Sequence, residues 1–324
     1  MKIIGMGNAL VDIVTLIDSD DVLSNLNIQK GSMQLVDEDI SNNIYNKTKQ
    51  NIKRITSGGS AANTIYGLAN LGINTAFIGK LGKDELAMQF KNDLSLNNIT
   101  PKLFESNTIS GRAIALISPD CERTFATFLG AAVELSDEDL SKELFEGYDL
   151  LHVEGYLVQN YKLIETALKL AKSKGLTISL DLASFNIVLE HHSFLKRIVS
   201  EYVDILFANE EEARAFTGKQ PEEALIDMAE ICKIAVVKIG KEGSLIKQKD
   251  NIHIIDIIPA TRVDTTGAGD LYASGFLYGW SKNLPLDVCG KMGTILSGKI
   301  IEILGAKFEE ETWSDLQIMI KELE

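Results

Sequence analysis

The chain has 324 residues, of which 45% are hydrophobic and 24% are charged, and this composition is typical of a globular protein with a sizeable core. It carries 32 basic and 46 acidic residues, a formal net charge of −14, so a nucleic acid or an anionic membrane surface is a disfavoured partner. Cys121, Cys232 and Cys289 are odd in number and far apart, and no apolar run approaches the roughly 18 residues of a membrane span. We therefore expect reduced thiols in a cytoplasmic protein without membrane association.

The N-terminal segment predicts two strands joined by a glycine turn. Residues 2–7 form a short strand pattern, and residues 5–10 nearly match the dinucleotide-binding fingerprint, but the third glycine is missing. The alternating pattern of residues 11–16 favours a second strand over the helix of a Rossmann unit, which argues against a dinucleotide-dependent oxidoreductase. Asp12 lies in this second strand, where its carboxylate either accepts hydrogen bonds from two neighbouring hydroxyls or is a solvated strand end.

A second glycine turn occupies residues 57–63 and leads into an apolar helix of small residues that ends at Gly72. Taken alone, this pattern is compatible with a plain loop before a tightly packed helix. A strand at residues 75–79 and a helix at residues 84–96 are predicted next.

Two strand-like pieces, residues 113–118 and 123–129, flank a Pro-Asp pair that is typical of a hairpin turn. Together with the strands that follow Asp12, this hairpin predicts a small β-sheet lid over a substrate. We expect the lid to comprise about residues 12–36 and 109–130.

From Tyr148 onward, strand and helix patterns alternate, which predicts a mostly parallel central sheet with helices on both faces. We expect one α/β domain over residues 1–324, with the lid as its appendage. The predicted strands are residues 150–153, 176–180, 204–207, 234–239, 243–247 and 252–258. The predicted helices are residues 161–173, residues 187–201, one that begins at Glu210, and three from Ala268 to the end.

Residues 264–277 hold the most informative pattern, in which Asp-Thr-Thr-Gly-Ala-Gly-Asp precedes small and apolar residues at helical spacing. Gly267 and Gly269 are predicted at a helix N-terminus, where N–H groups lack partners, the dipole is positive and no Cβ keeps an anion away. Asp270 places a carboxylate within one turn, where it can accept the proton of a hydroxyl that attacks phosphorus. The same residues also fit an ordinary capped helix after a tight turn.

This stretch resembles the C-terminal signature of the phosphofructokinase-B (ribokinase-like) family of carbohydrate and nucleoside kinases, and residues 264–277 meet every position of that pattern. The resemblance implies a ribokinase-like α/β fold, with Asp270 as the catalytic base and the amides of Gly267, Ala268 and Gly269 as an anion hole. It also implies a set of acceptor-binding residues, which by position are Asn8, Asp12, Gly58, Gly59, Ser60 and Asn63. Ile65 departs from the family's N-terminal signature, which has a small Ser, Thr or Ala there.

Two further segments resemble the family's nucleotide site. Asn209 and Glu212 match its Asn-x-x-Glu element, which implies a position near the phosphates and, for Glu212, Mg²⁺ held through water. A run of three glutamates is otherwise typical of a solvated first helical turn. Asp181 is followed by Leu-Ala where many sugar kinases have Asp-x-Asn, which argues against a polar role there. The other nucleotide-binding residues that the resemblance implies are Lys238, Gly240, Gly243 and Thr265.

The resemblance implies an ATP- and Mg²⁺-dependent kinase that phosphorylates a primary hydroxyl of a small-molecule nucleoside or sugar. Residues 5–12 and 202–210 look most like adenosine kinases, whereas residues 57–72 look equally like bacterial sugar kinases of the ribokinase or fructokinase type. A non-catalytic nucleoside or sugar sensor is the alternative from another functional class. The sequence leaves open the exact acceptor, a requirement for K⁺, the choice between monomer and homodimer, and whether Arg123 closes over the phosphate or is an exposed lid residue.

Overall fold

The structure is a computed structural model that describes residues 1–120 and 122–324, so the thiol predicted at Cys121 lies outside the described residues. The strands are β1 Lys2–Met6, β2 Leu10–Leu16, β3 Met33–Leu35, β4 Ile52–Gly58, β5 Asn74–Leu81, β6 Ile99–Glu105, β7 Gly111–Ile117, β8 Arg123–Phe128, β9 Leu150–Glu154, β10 Thr177–Asp181, β11 Ile205–Asn209, β12 Ile234–Lys238, β13 Ser244–Gln248 and β14 Asn251–Ile255. The helices are α1 Asp21–Asn25, α2 Glu38–Thr48, α3 Ser60–Asn70, α4 Glu85–Leu96, α5 Tyr161–Ser173, α6 Phe185–Glu190, α7 His192–Tyr202, α8 Glu210–Thr217, α9 Pro221–Ile231, α10 Ala268–Ser281, α11 Leu286–Ile300 and α12 Glu310–Lys321.

A nine-stranded sheet in the order β14-β13-β12-β11-β10-β9-β1-β5-β6 forms the centre of the molecule. The strands from β12 to β6 in this order pair in parallel, and β13 pairs antiparallel with both β12 and β14. The predicted mostly parallel sheet is therefore confirmed. Because parallel strands share one carboxyl edge, the residues that follow β1, β9, β10, β11 and β12 meet at the same edge of the sheet.

Apolar cores cover both faces of this sheet, because side chains alternate along each strand. On β9, Leu150 belongs to the core that contains buried residues of α3, α10 and α11. Its neighbour Leu151 belongs to the opposite core, with buried residues of α5, α7 and α9. Among the residues described, no helix is long and apolar enough to cross a membrane, and Cys232 and Cys289 are free cysteines.

A second, five-stranded sheet has the order β3-β8-β7-β2-β4. The strands β7 and β8 pair antiparallel, as the hairpin pattern predicts. This sheet also includes β4, which lies outside the two predicted lid segments and pairs antiparallel with β2. We call these five strands the lid sheet.

Two predicted elements differ from the structure by a break or by more than two residues at one end. The helix predicted at residues 187–201 is broken into α6 and α7 at His191, whose Nδ1 lies 3.0 Å from the Tyr161 hydroxyl and whose backbone is not helical. The strand predicted at residues 252–258 ends at Ile255, and Ile257 and Ile258 instead line the cleft at the carboxyl edge of the sheet. Both differences arise from side-chain neighbours distant in sequence, which a local pattern does not contain.

Candidate active site

A cleft of about 1910 Å³ lies at the carboxyl edge of the central sheet and is lined in part by residues of the lid sheet. This volume exceeds the usual 300–1,000 Å³ of a site for one small ligand, so the cleft has room for two. Gly58 is the one predicted site residue that does not line it. The others all do: Asn8, Asp12, Gly59, Ser60, Asn63, Asn209, Glu212, Lys238, Gly240, Gly243, Thr265, Gly267, Ala268, Gly269 and Asp270.

The predicted anion-binding turn stands at the N-terminus of α10. Gly267 caps the helix with φ of 76°, and a Cβ there would lie 2.5 Å from the Cβ of Ala306, so only glycine fits. The Ala268 amide donates to the Thr265 carbonyl at 3.2 Å, whereas the Gly269 amide donates to no acceptor among the described residues. The turn thus presents part, not all, of the predicted set of amides to the cleft.

Asp270 lies in the first turn of α10 and is held by two side chains of α3. Its Oδ1 accepts a hydrogen bond from the Ser60 hydroxyl at 2.7 Å, and its Oδ2 accepts one from Asn63 Nδ2 at 3.0 Å. Burial raises the pKa of Asp270 to about 6, although the bonds from Asn63 and Ser60 oppose that rise. A carboxylate with this pKa is mostly ionised at neutral pH and still basic enough to accept a proton.

Asp12 on β2 and Gly58 on β4 are diagonal neighbours, since Asp12 pairs with Thr56 and Gly58 pairs with Leu10. A Cβ on Gly58 would lie 2.2 Å from the Asp12 carboxyl carbon. The absence of a side chain at Gly58 therefore leaves room for the Asp12 carboxylate, and Gly58 itself does not line the cleft. The Asp12 carboxylate has no hydrogen-bond donor among the described residues, and burial raises its pKa to about 7. Both of its oxygens are therefore available to hydroxyl groups of a ligand.

Glu154, the last residue of β9, is a site residue that the sequence did not single out. Its carboxylate accepts hydrogen bonds from the backbone amide and Nδ2 of Asn8 and from the Ala61 amide, at 2.8–2.9 Å. Burial raises its pKa to about 7. Glu154 thus joins the end of β1 to the first turn of α3 and occupies the N-terminus of that helix.

Asn209 and Glu212 form a reciprocal cap at the start of α8. Glu212 accepts hydrogen bonds from the Asn209 amide and side-chain nitrogen at 2.8 and 2.7 Å, and its own amide donates to Asn209 Oδ1 at 2.8 Å. Burial raises the pKa of Glu212 to about 7. The described residues contain no cluster of three side chains that could hold a metal ion, so the arrangement fits Mg²⁺ only as an ion that keeps most of its waters.

Lys238, the last residue of β12, points towards β10. Its ammonium lies 2.8 Å from Asp181 Oδ2, and both side chains are largely buried. The sequence argued against a polar role for Asp181, and this expectation is wrong, because Asp181 forms a buried ion pair with Lys238.

Lys307 is a second cation near the site. Unlike Lys238, it was not singled out from the sequence. It is buried, and its ammonium lies 3.8 Å from the centre of the Tyr66 ring, as in a cation–π contact. Burial lowers its pKa to about 8, while the charges of Asp12 and Asp93 oppose that shift. Lys307 belongs to a segment that also contacts the glycine turn, since Ala306 packs against Gly267.

Arg123 connects the lid sheet to the glycine turn. Its guanidinium forms an ion pair with Asp264 and donates a hydrogen bond to the Thr266 hydroxyl at 2.8 Å. Asp264 is buried and also accepts hydrogen bonds from the amides of Thr266 and Gly305. The alternative of an exposed lid residue is therefore wrong, because the Arg123 side chain is only 15% exposed. Closure of Arg123 over the phosphate stays a prediction, since its guanidinium is paired with Asp264 and Arg123 does not line the cleft.

Residues 35–313 match the pfkB family of carbohydrate kinases. The chain belongs to this family. A probable sugar kinase from Rhizobium etli CFN 42 has a similar structure, with a TM-score of 0.88, 31% identity and coverage of 99% of this chain and 98% of that chain. Adenosine kinase from Sinorhizobium meliloti has a TM-score of 0.87, 30% identity and coverage of 98% and 99%. A nucleoside kinase from Methanothermobacter thermautotrophicus is 28% identical over 266 residues, which are 80% of this chain and 84% of that protein.

Membership in the pfkB family confirms the predicted ribokinase-like α/β fold. It also confirms that the protein is a phosphotransferase with an alcohol group as acceptor, of the sugar and nucleoside kinase class. Family membership implies ATP as the phosphoryl donor, generally with Mg²⁺.

Proposed function

We propose that this pfkB-family kinase transfers the γ-phosphate of ATP to a primary hydroxyl of a nucleoside, with adenosine as the preferred acceptor and Asp270 as the general base. The observation that carries the proposal is the position of the Asp270 carboxylate. It is fixed by Ser60 and Asn63 at the same helix N-terminus that presents the free Gly269 amide. Base and anion site thus lie within one helical turn of each other, as phosphoryl transfer to a hydroxyl requires.

The proposed reaction uses these groups in one step. Asp270 accepts the proton of the acceptor hydroxyl. At the same time the oxygen of that hydroxyl forms a bond to the γ-phosphorus, and the bond between the γ-phosphorus and the leaving oxygen of ADP breaks. The amides of the Gly267–Gly269 turn, which include the free Gly269 amide, stabilise the charge on the transferred phosphoryl group. The lid sheet, held to the turn through Arg123, excludes water that would compete as acceptor.

The acceptor half of the cleft supports a nucleoside. Asp12 has free carboxylate oxygens for a pair of ribose hydroxyls, and Asn63 Oδ1 is buried without a hydrogen-bond donor among the described residues. The lid sheet contributes Leu35, which is 62% exposed, to the cleft, and Val133, in the segment that follows β8, lines the cleft as well and is 52% exposed. A nucleobase would cover this apolar surface, whereas a free sugar would leave it in water.

A sugar kinase of the ribokinase or fructokinase type is the second candidate, and the similarity to the Rhizobium etli probable sugar kinase supports it. A non-catalytic sensor would be expected to have lost Asp270 or the glycine turn, and both are present. The cytoplasmic location, the K⁺ requirement and the oligomeric state remain predictions or open points of the sequence.

The nucleotide half is proposed to comprise Asn209, Glu212, Lys238, Gly240, Gly243 and Thr265. Bound Mg²⁺ would neutralise charge on the triphosphate. Glu212, whose carboxylate is engaged by Asn209, would act on the waters of the ion and not on the ion itself.

The test is ADP release from MgATP over a panel of adenosine, inosine, cytidine, ribose, fructose, fructose 6-phosphate and 2-keto-3-deoxygluconate. We expect the highest kcat/KM with adenosine. The Asp270→Asn variant is the control that measures ADP release without the proposed base. Preference for a free sugar would overturn the nucleoside assignment, and no turnover on any member would favour the sensor.

A further inference from the structure

A buried ion pair lies directly under the glycine turn. Lys238 is the last residue of β12 and Asp181 is the last residue of β10, and β11 lies between these two strands in the sheet. Their side chains are only 16% and 8% exposed, and Lys238 Nζ lies 2.8 Å from Asp181 Oδ2. In an ion pair with so little exposure to water, each charge depends on its partner, because loss of one partner leaves the other charge buried and uncompensated.

Asp181 is itself held from the opposite side. Its Oδ1 accepts a hydrogen bond from the Ala183 amide at 2.9 Å. Ala183 has φ of 65°, in the left-handed region that non-glycine residues seldom adopt, and its carbonyl accepts a hydrogen bond from the Tyr156 hydroxyl at 3.2 Å. The strained turn thus fixes the carboxylate that in turn fixes Lys238.

The Lys238 ammonium also contacts the turn. A Cβ on Gly269 would lie 3.0 Å from Lys238 Nζ, so the missing side chain of Gly269 is what lets the ammonium approach the backbone there. Acidic groups outnumber cations around it, since Asp181, Glu212 and Asp270 all act on Lys238 and together keep its pKa raised against the effect of burial. Lys238 therefore places a positive charge beside Gly269 in this acidic surrounding.

We propose that Asp181 and Lys238 act as a fixed charge pair beneath the anion-binding turn, in which Lys238 attracts the transferred phosphate from below Gly269 and Asp181 positions Lys238. The proposal rests on the proposed function and adds to it a positioning residue, Asp181, together with a side-chain charge for a site otherwise built from amides. Phosphate oxygens favour such a site because amides and an ammonium converge on them.

The pair has a second effect, on Asp270. The charge of Asp181 raises the pKa of Asp270 and the charge of Lys238 lowers it, both after burial as the main cause. The other ionisable groups that face Asp270 are Asp12, Glu154, Tyr156 and Lys307, and neither substitution below changes them. Loss of Lys238 should therefore move the acid limb of kcat to higher pH, and loss of the Asp181 charge should move it to lower pH.

The test compares Lys238→Met and Asp181→Asn with Lys233→Met. Lys233 forms an ion pair with Asp204 at the opposite end of β12, and its side chain is 78% exposed, so this control removes a lysine–aspartate pair from the same strand without touching the cleft. We expect Lys238→Met to lower kcat by about 10²–10³, in the range of a lost oxyanion-hole donor, and Asp181→Asn to lower it by about tenfold. The acid limbs of the two variants should move in opposite directions.

Calorimetry with a non-hydrolysable ATP analogue and with adenosine provides a readout independent of turnover. Lys238→Met should weaken binding of the analogue, which carries the γ-phosphate, at least tenfold and leave adenosine binding unchanged. Acid limbs that do not move or that move in the same direction, or unchanged affinity for the analogue, would overturn the pair. Failure of the proposed base would instead appear as a small effect of Asp270→Asn, and the measurement with the analogue would still report on Lys238.

Discussion

The two helices that frame the site, α3 and α10, begin alike but offer different chemistry at their N-termini. Each follows a glycine with positive φ, 97° at Gly59 and 76° at Gly267. At α3 the Glu154 carboxylate accepts the Ala61 amide and so fills the positive end of the helix. At α10 the Gly269 amide remains free among the described residues. A helix N-terminus attracts anions, so this difference supports the proposed phosphate site at α10 and the proposed hydroxyl-binding site at α3.

The largest effect on the difference between the two helix N-termini is expected from a substitution at Gly267. Gly267→Ala would strain a left-handed residue and push its Cβ against Ala306, which displaces the turn. We expect kcat to fall by about 10²–10³, the range for loss of preorganised amide donors. Gly218→Ala is the matched control, because Gly218 has φ of 78° at the end of α8 with no atom near the added Cβ. Equal kinetic effects of the two variants would contradict the assignment.

Glu154→Gln tests the role of the carboxylate that lies at the N-terminus of α3. The glutamine nitrogen cannot accept the Ala61 amide, so Asn8 and the first turn of α3 lose a shared anchor. We expect the KM for the acceptor to rise about tenfold while the KM for ATP stays unchanged. Glu309→Gln, at a side chain that is 80% exposed, provides the control. A rise in the KM for ATP instead would mean that the α3 N-terminus takes part in nucleotide binding.

Lys307→Met tests whether the charge of Lys307 controls acceptor binding through the pKa of Asp12. The positive charge of Lys307 lowers the pKa of Asp12, which burial has raised to about 7. Without that charge the pKa rises further, so more Asp12 is protonated at pH 7 and the acceptor binds several-fold more weakly, with one unit of pKa equal to a tenfold change. The deficit should disappear above about pH 8.5. Lys282→Met, which removes an exposed lysine that lies over Tyr278, should leave the pH profile unchanged, and a pH-independent deficit in Lys307→Met would refute the coupling.

Local patterns in the sequence predicted both helix N-termini correctly. The glycine turns, the strands before them and the small apolar residues after them are contiguous, so residues 57–63 and 264–277 could be placed without knowledge of the fold. The chemical family followed from the second of these segments.

Glu154 was not singled out from the sequence, and the ion pair of Asp181 was not predicted, because both depend on partners distant in sequence. Glu154 binds Asn8, which is 146 positions away, and Asp181 binds Lys238, which is 57 positions away. A usable signal existed for both, since each is the last residue of a parallel strand, where open α/β sheets bind ligands. Lys307 follows a loop without periodic pattern, so only the packing of that loop on Tyr66 reveals it.

The most direct test of the account is the rate of the first turnover of phosphoryl transfer, with both MgATP and adenosine saturating at every pH, measured across pH for the native protein and for Asp270→Asn. A base must be deprotonated to act, so the native rate should fall as pH drops below about 6, the pKa of Asp270. Asp270→Asn should be slower by about 10²–10⁴ and lack this acid limb, with adenosine affinity unchanged. A loss of less than tenfold, or an acid limb that persists in the variant, would contradict the assignment of Asp270 as the base.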